Sequence, residues 1–339
     1  MTADLDAAAP ATATRSPAEP LVIEGLSIAV HTDDGDRPLL DRIDLRVGPA
    51  EIVGLVGESG SGKSLTSRSA LSLFPPGATV NGSVRVDGIE VIRAGATQLR
   101  AVRRTRAAMI FQDPRSSVNA MRRVGDFLTE GLRARGVPAA KAQVEAIEML
   151  AEVGIRDPQA AMRRYPHEFS GGMLQRIVIA AAMLTDPMLV LADEATTALD
   201  VTTQAEVVGL LERARDELGT GLLFVTHDLE LAAAVCDRIY VMYAGRVVET
   251  GPADEVLAHP QHPYTAGLLG SNPQLTGERR VLSPIQGRPR ALADAPSGCA
   301  FRDRCPLAVD ACATEVPVLR PHEGTEVACV RPGEAEVVR

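Results

Sequence analysis

The stretch GESGSGKS, Gly57 to Ser64, has the spacing G-x-x-x-x-G-K-[ST] and lies between a strand-like EIVGLV and a helix-like SLTSRSALSL. Glycines at these positions let the backbone fold back so that successive N–H groups face one point, and such a point suits a phosphate. Gly57, Glu58, Ser59, Gly60, Ser61 and Gly62 would cradle a β-phosphate, Lys63 would bridge β- and γ-oxygens, and Ser64 would ligate Mg2+. MLVLADE ends an apolar run on Asp193 and Glu194, placing one carboxylate for Mg2+ and a second for an attacking water. LLFVTHD brings His227 to the end of another such run, where an imidazole could touch a γ-phosphate. All three clusters fall at the C-terminal ends of candidate parallel strands, the edge at which open α/β sheets bind ligands.

The elements that must position these groups are readable in outline. From Leu21 to about Val91, short β-like runs (LVIEGLSIAV, IDLRV, SVRVDGIEV) alternate with turns and predict an antiparallel lobe. Between Gln112 and Ser170 the pattern is helical: Pro138 suits a first turn, Val144, Ile147 and Leu150 recur at near-helical spacing, and Gly154 is a stop. From Met188 onward, buried-strand runs (MLVLAD, GLLFVTHD, RIYVMYAG) separated by helical stretches such as Thr202 to Leu218 predict a parallel α/β sheet. Residues 1–20, rich in Ala, Thr and Pro, are expected to be a disordered tail, and 21–270 the main domain with a helical subdomain over about 113–168. After about Ser271, prolines and arginines replace periodic apolar residues and predict a separate module over 271–339.

With 339 residues and 45% apolar side chains, folding does not depend on disulfides. The net charge of -9 argues against a general nucleic-acid binder. The most apolar stretch, Ile177 to Leu184, is too short to span a bilayer, so a membrane role must come through a partner. The N-terminus lacks the basic start and apolar core of a secretory signal, which predicts a cytosolic protein.

One further element is FSGGMLQR, Phe169 to Arg176, between the glycine loop and the acidic strand. It resembles the signature motif of the ATP-binding-cassette (ABC) ATPases. The other motifs of that family fall in order: Gln112 in IFQDP matches the Q-loop, TALD ending at Asp200 the D-loop, and THD the switch histidine. The resemblance covers roughly Leu21 to Pro273. It implies a P-loop ABC ATPase fold, with a mixed sheet core, an antiparallel β lobe and a helical subdomain. It also implies a head-to-tail dimer in which Ser170, Gly171 and Gly172 of one domain close on the γ-phosphate held by the other. Glu194 would then be the general base, with His227 and Gln112 holding the γ-phosphate and water. Ser64, Gln112 and Asp193 would hold Mg2+, and Asp200 would lie by the nucleotide. Family members usually stack adenine on an aromatic residue upstream of the glycine loop; the matching position is Val30, which leaves the neighbouring His31 as a substitute, or apolar packing alone, to hold the base. Ala120 stands where peptide-importer relatives tend to carry proline, near Arg115, Arg122 and Arg123, which could form a solvated face or meet a membrane partner.

HPQHPYTAGLLGSNP, His259 to Pro273, and the cysteine-rich tail together resemble the ATPase subunits of dipeptide and oligopeptide importers, a family that includes nickel and glutathione systems. This implies a peripheral protein on the cytoplasmic face of the membrane. Its implied partners are a second, related (F-type) ATPase, two permeases and an extracytoplasmic substrate-binding protein. A soluble ATPase with a redox- or metal-sensing tail stays open as another class.

Four of five cysteines form C-x5-C-x6-C-x16-C through Cys299, Cys305, Cys312 and Cys329. A reducing compartment disfavours disulfides, and the short knuckles of structural zinc sites are missing. Four thiolates on wide loops can surround a cubane, and Cys305-Pro306 is similar to the Cys-Pro of ferredoxin-type ligation. Arg302 and Arg304 could offset the thiolate charge. The resembled importer ATPases include members with a 4Fe-4S cluster in this tail; zinc and free thiols remain as alternatives. Cys236, in AAAVCDRIY, reads as a small buried apolar residue.

Overall fold

The structure, a computed structural model, describes residues 19–33, 35–196, 200–271 and 284–334. Most of the expected N-terminal tail, Thr197, Ala198 and Leu199 of TALD, and the stretch 272–283 lie outside the described residues.

Strands β1 (Leu21–Thr32), β2 (Gly35–Val47) and β3 (Ile52–Val56) come first, and β4 (Ala78–Val86), β5 (Ile89–Glu90) and β6 (Ala107–Ile110) follow the Lys63–Ser69 helix. Beyond a helical stretch come β7 (Leu189–Asp193), β8 (Gly221–Thr226), β9 (Arg238–Tyr243) and β10 (Arg246–Pro252), then the short β11 (Arg320–His322) and β12 (Thr325–Val327). They form two sheets, an antiparallel one in the order β2-β1-β4-β5 and a mixed one in the order β11-β12-β10-β9-β3-β8-β7-β6. Within the mixed sheet β9, β3, β8, β7 and β6 run parallel, so their carboxyl ends share one edge.

The central strands are apolar at nearly every position before their carboxyl ends because both faces are covered. Ile52, Val56, Leu222, Phe224, Val190 and Ala192 pack into one core, while Val53, Leu55, Leu223, Val225, Leu189 and Leu191 pack into another. That division follows the two-residue period of a strand. The second core includes Leu21, Ile23, Leu26 and Leu45, which seat the antiparallel sheet on the parallel one. A third core is helical, uniting Val124, Leu128 and Leu132 of the Val124–Ala134 helix with Leu174 and Ile177 of the Gly171–Met183 helix. In the Ala139–Glu152 helix the buried stripe is Ala142, Ala146 and Leu150; Val144 is 53% exposed and Ile147 only partly buried. Alanines at i and i+4 let neighbouring helices approach closely, and this outweighs the larger but outward-facing valine. Gly154 stops the helix in the left-handed region (φ 78°), with the Ile155 N–H closing onto the Leu150 carbonyl at 2.9 Å.

The C-terminal segment does not hang free of this core. β12 pairs with β10, extending the main sheet, and Ala300 and Phe301 enter the first core. Phe301 meets Tyr243 of β9 edge-on at 5.2 Å and Tyr264 of the Pro263–Ser271 helix at 5.3 Å. No helix among the described residues is long and apolar enough to cross a membrane.

Candidate active site

The glycine loop leaves β3 and enters the Lys63–Ser69 helix, as its spacing requires. Two glycines are fixed by packing: a methyl group on Gly57 (φ 149°) would lie 2.2 Å from the Met242 carbonyl oxygen, and one on Gly62 (φ 103°) 2.5 Å from Leu40 Cδ2. The Lys63 ammonium donates back to the carbonyls of Gly57 (2.7 Å) and Glu58 (2.9 Å). Burial pulls the Lys63 pKa below its ordinary value, against the opposing charges of Glu194, Asp193 and Glu58.

Asp193 ends β7, almost fully buried, and accepts from the Ser64 hydroxyl at 2.7 Å and from Arg68 at 3.3 Å. Ser64 and Asp193 therefore meet as a pair of hard oxygen donors, a set that fits Mg2+. Glu194 follows in a left-handed conformation (φ 50°), its N–H bonded to the Val225 carbonyl of β8 at 3.0 Å. This turn aims the carboxylate across the strand ends, where Gln112 donates to Oε2 at 2.6 Å and His227 Nδ1 approaches the same oxygen at 3.9 Å. The sequence-predicted Lys63, Ser64, Gln112, Asp193, Glu194 and His227 are thus together at one sheet edge.

They surround a cleft of about 710 Å3 lined by Glu58, Ser59, Gly60, Gly62, Lys63, Ser64, Gln112, Glu194 and His227. Its remaining lining is apolar: Pro38, Leu39, Leu65, Pro289, Ala291 and Leu292. Val30 and His31 are absent from that lining; His31 is exposed and turned to Asp36 at 2.9 Å. The expectation that His31 might replace the missing aromatic ring is therefore corrected.

Glu58 is anchored in a way that sequence reasoning missed. Its N–H donates to the Tyr264 hydroxyl at 2.8 Å, and its carboxylate takes both guanidinium nitrogens of Arg304, at 2.6 and 3.0 Å. Arg304 is buried, donates through Nε to the Gln286 carbonyl at 2.9 Å, and stacks beside Tyr243 and Phe301. Its carboxylate partner holds the guanidinium pKa above the ordinary arginine value. Arg304 therefore does not serve the thiols as expected; Arg302 stays by them, bonded to Ser297 and Ala313 carbonyls. HPYT contained Tyr264, and its spacing gave no hint of a partner 206 residues away.

Ser170, Gly171 and Gly172 are not among the residues lining the cleft. Ser170 caps the Gly171–Met183 helix, accepting from the Met173 N–H at 3.3 Å, and both Ser170 and Gly171 are exposed. Asp200 is also away from the cleft, capping the Val201–Leu218 helix through Thr203, whose hydrogen bonds lower its carboxyl pKa. Arg115, Arg122 and Arg123 are exposed, Arg122 pairing with Glu130 and Arg123 lying over the Tyr165 ring at 5.9 Å.

Cys299, Cys305, Cys312 and Cys329 line one small hollow with His262, Phe301 and Arg302. Burial raises the Cys299 and Cys329 thiols above their ordinary value and pushes Cys305 up to about 11. Among the described residues no three His, Cys, Asp or Glu side chains form a metal-holding group, so the thiols share a hollow without closing on a common centre. Cys236 is buried against Gly54, as its apolar surroundings predicted.

Comparison with known proteins agrees with this geometry. Residues 40–197 match the ABC transporter family and 248–312 the oligopeptide/dipeptide transporter C-terminal region. The oligopeptide transport ATP-binding protein OppD of Salmonella typhimurium is 40% identical over 95% of this chain and 98% of its own. The probable D,D-dipeptide transport ATP-binding protein DdpD of Escherichia coli is 43% identical over 88% of this chain and 92% of its own. Among solved structures, cbiO1 of Clostridium perfringens, part of an ABC transporter complex, superposes with a TM-score of 0.61 at 25% identity, over 71% of this chain and 91% of that one. The ADP- and Pi-bound dimeric cassette MJ0796 shares the fold, with a TM-score of 0.62 over 69% of this chain and 98% of that one. A glycine loop, two strand-end carboxylates, a glutamine and a histidine gathered on one sheet edge, in a chain this close to such relatives over most of its length, place it among the ATP-hydrolysing ABC transporter ATP-binding proteins that carry the oligopeptide/dipeptide transporter C-terminal region.

Proposed function

We propose that this chain powers the import of dipeptides or oligopeptides, as a peripheral ATPase on the cytoplasmic face of a membrane transporter. The observation that carries the reading is the 40% identity with the oligopeptide transport protein of Salmonella typhimurium over 95% of this chain. Its partners are two permeases, an extracytoplasmic substrate-binding protein and a second, related ATPase. The exposed Ser170 and Gly171 support the last of these: a phosphate-facing motif that does not reach its own cleft has work to do on another chain's. The division into an ATPase domain over 21–270 and a C-terminal region over 271–339 belongs to the same reading.

Within each site Glu194 is the general base, steadied by Gln112 and His227, and Lys63 and Ser170 address the phosphates from opposite chains. Mg2+, held by Ser64, Gln112 and Asp193, would neutralise charge on the β- and γ-oxygens. Purified with its permeases in lipid vesicles, the chain should hydrolyse ATP faster when a peptide-loaded binding protein is added. Stimulation by nickel or glutathione alone would replace the peptide assignment.

The four-cysteine hollow would hold a 4Fe-4S cluster in this reading, supported by four thiols that line one hollow, though they do not close on a common centre, and by the Cys305-Pro306 step. Such a cluster would supply a structural or redox-responsive centre. Anaerobically purified protein should be brown with about four irons per chain; colourless protein with stoichiometric zinc would remove the assignment. One observation favours a second reading, a soluble ATPase with a sensing tail: Arg304, adjacent to Cys305, grips Glu58 of the phosphate loop. Isolated membranes separate the two, because a sensing ATPase would be missing from them.

A further inference from the structure

The nucleotide cleft has two chemically distinct parts. Gln112, Glu194 and His227 can face only the terminal phosphate and its water, and Ser59 to Ser64 take the phosphates. Apart from Glu58, whose carboxylate is taken up by Arg304, what remains is apolar, which suits the flat faces of a purine. We propose that the adenine of ATP packs on a wall made by Pro38 and Leu39 of β2 and by Pro289 and Leu292 of the C-terminal segment. This wall takes the place of an aromatic ring at Val30.

The wall is a built feature. A methyl group on Gly245, after β9, would lie 2.4 Å from the Leu39 carbonyl and 3.0 Å from Leu292 Cβ, so only glycine lets both halves close on that point. Gly245 in turn donates its N–H to the Ser61 carbonyl of the phosphate loop at 2.9 Å. The two halves are also tied by charge: Arg37, next to Pro38, pairs with Asp294 at 3.4 Å in the Leu292–Asp294 turn. Leu292 is buried at 8% exposure, whereas Pro38 and Pro289 are exposed, leaving their ring faces for a ligand. Aliphatic faces attract a base by dispersion and by removing its faces from water. Base recognition thus depends on residues about 250 positions beyond β2, in a region expected to leave nucleotide binding to the main domain.

The test separates base from phosphate. Leu292→Asn should raise the Kd for Mg-ATP about tenfold while the Kd for Mg-tripolyphosphate moves by less than about twofold. Equal losses for both ligands would mean that Leu292 acts only through the phosphate loop, and an unchanged Kd for ATP would remove it from the site; either result overturns the proposal. Pro289→Asp, at an exposed position, carries the same expectation if Leu292→Asn does not fold. Independently, an ATP analogue with a photoactive azide on its purine should label the wild-type chain within 288–292 or at Pro38 and Leu39. Labelling confined to Val30 and His31 would overturn the wall.

Discussion

Glu58 illustrates how much one loop residue can depend on distant side chains. Its carboxylate forms a two-pronged pair with Arg304, whose side chain is 4% exposed against 22% for Glu58. Removing one partner of a buried pair costs about 3–5 kcal/mol; water reaches Glu58, so Arg304→Met should cost about 2 kcal/mol. Thermal unfolding should show that loss, with much of it recovered in the Glu58→Gln/Arg304→Met double variant; an unchanged midpoint in the single variant would refute the pair's role. Glu194→Gln should keep ATP binding and lower turnover at least about a hundredfold, as expected of a general base. Cys236 makes a pH-dependent prediction, since burial pushes its thiol from 9.0 up to about 12. The folded state holds that proton more tightly than the unfolded chain. Its contribution is therefore complete below pH 9 and lost as pH rises toward 12. Urea unfolding should accordingly weaken more steeply above pH 9 in the wild type than in Cys236→Ala. At this scale the reacting groups were legible because a local motif carries each of them. Arg304 was not: beside cysteines an arginine reads as their counter-charge, and no local pattern encodes a partner 246 residues away.

Elements were legible where their period was undisturbed. β3, β7 and β8 are apolar runs up to the terminal Asp193 of β7 and Thr226 of β8, and the structure buries every position of them. The Ala139–Glu152 helix was placed correctly in sequence but turned on its axis, because alanines carry a weak hydrophobic signal and yet form the close-packed stripe. The connection out of β3 yields a contrast between two glycines. Gly57→Ala would drive a methyl group to 2.2 Å from a backbone oxygen and should abolish ATP binding. At Gly60 the φ of 81° is also left-handed, but nothing lies within 4 Å, so Gly60→Ala should cost only about 1–2 kcal/mol of backbone strain. Fluorescent-nucleotide titration of both variants checks the difference, and equal losses would show that crowding at Met242 is not what fixes the loop.

For the whole molecule, the proposed pairing of chains makes its own prediction. Glu194→Gln loaded with ATP should co-elute with its partner ATPase as a larger species that Ser170→Arg prevents; an assembly indifferent to Ser170→Arg would exclude the signature helix from the interface. The sequence conveyed the parts of the molecule better than their union, since β11 and β12 are three residues each and too short to announce themselves. Their placement has a bearing on solubility. β12 covers the flank of β10 through Glu249 and Thr250, and the Ala328 N–H adds a bond to the Val248 carbonyl at 2.8 Å. A chain ended at Ser271 would leave that flank as a row of unpaired backbone groups, a template for joining one molecule to the next. The chain with its C-terminal strands instead presents β11, whose exposed Arg320 and Pro321 offer a charge and a residue without an N–H. The C-terminal strands thus finish the sheet against aggregation, which is reason to expect filaments or precipitate from the bare ATPase domain.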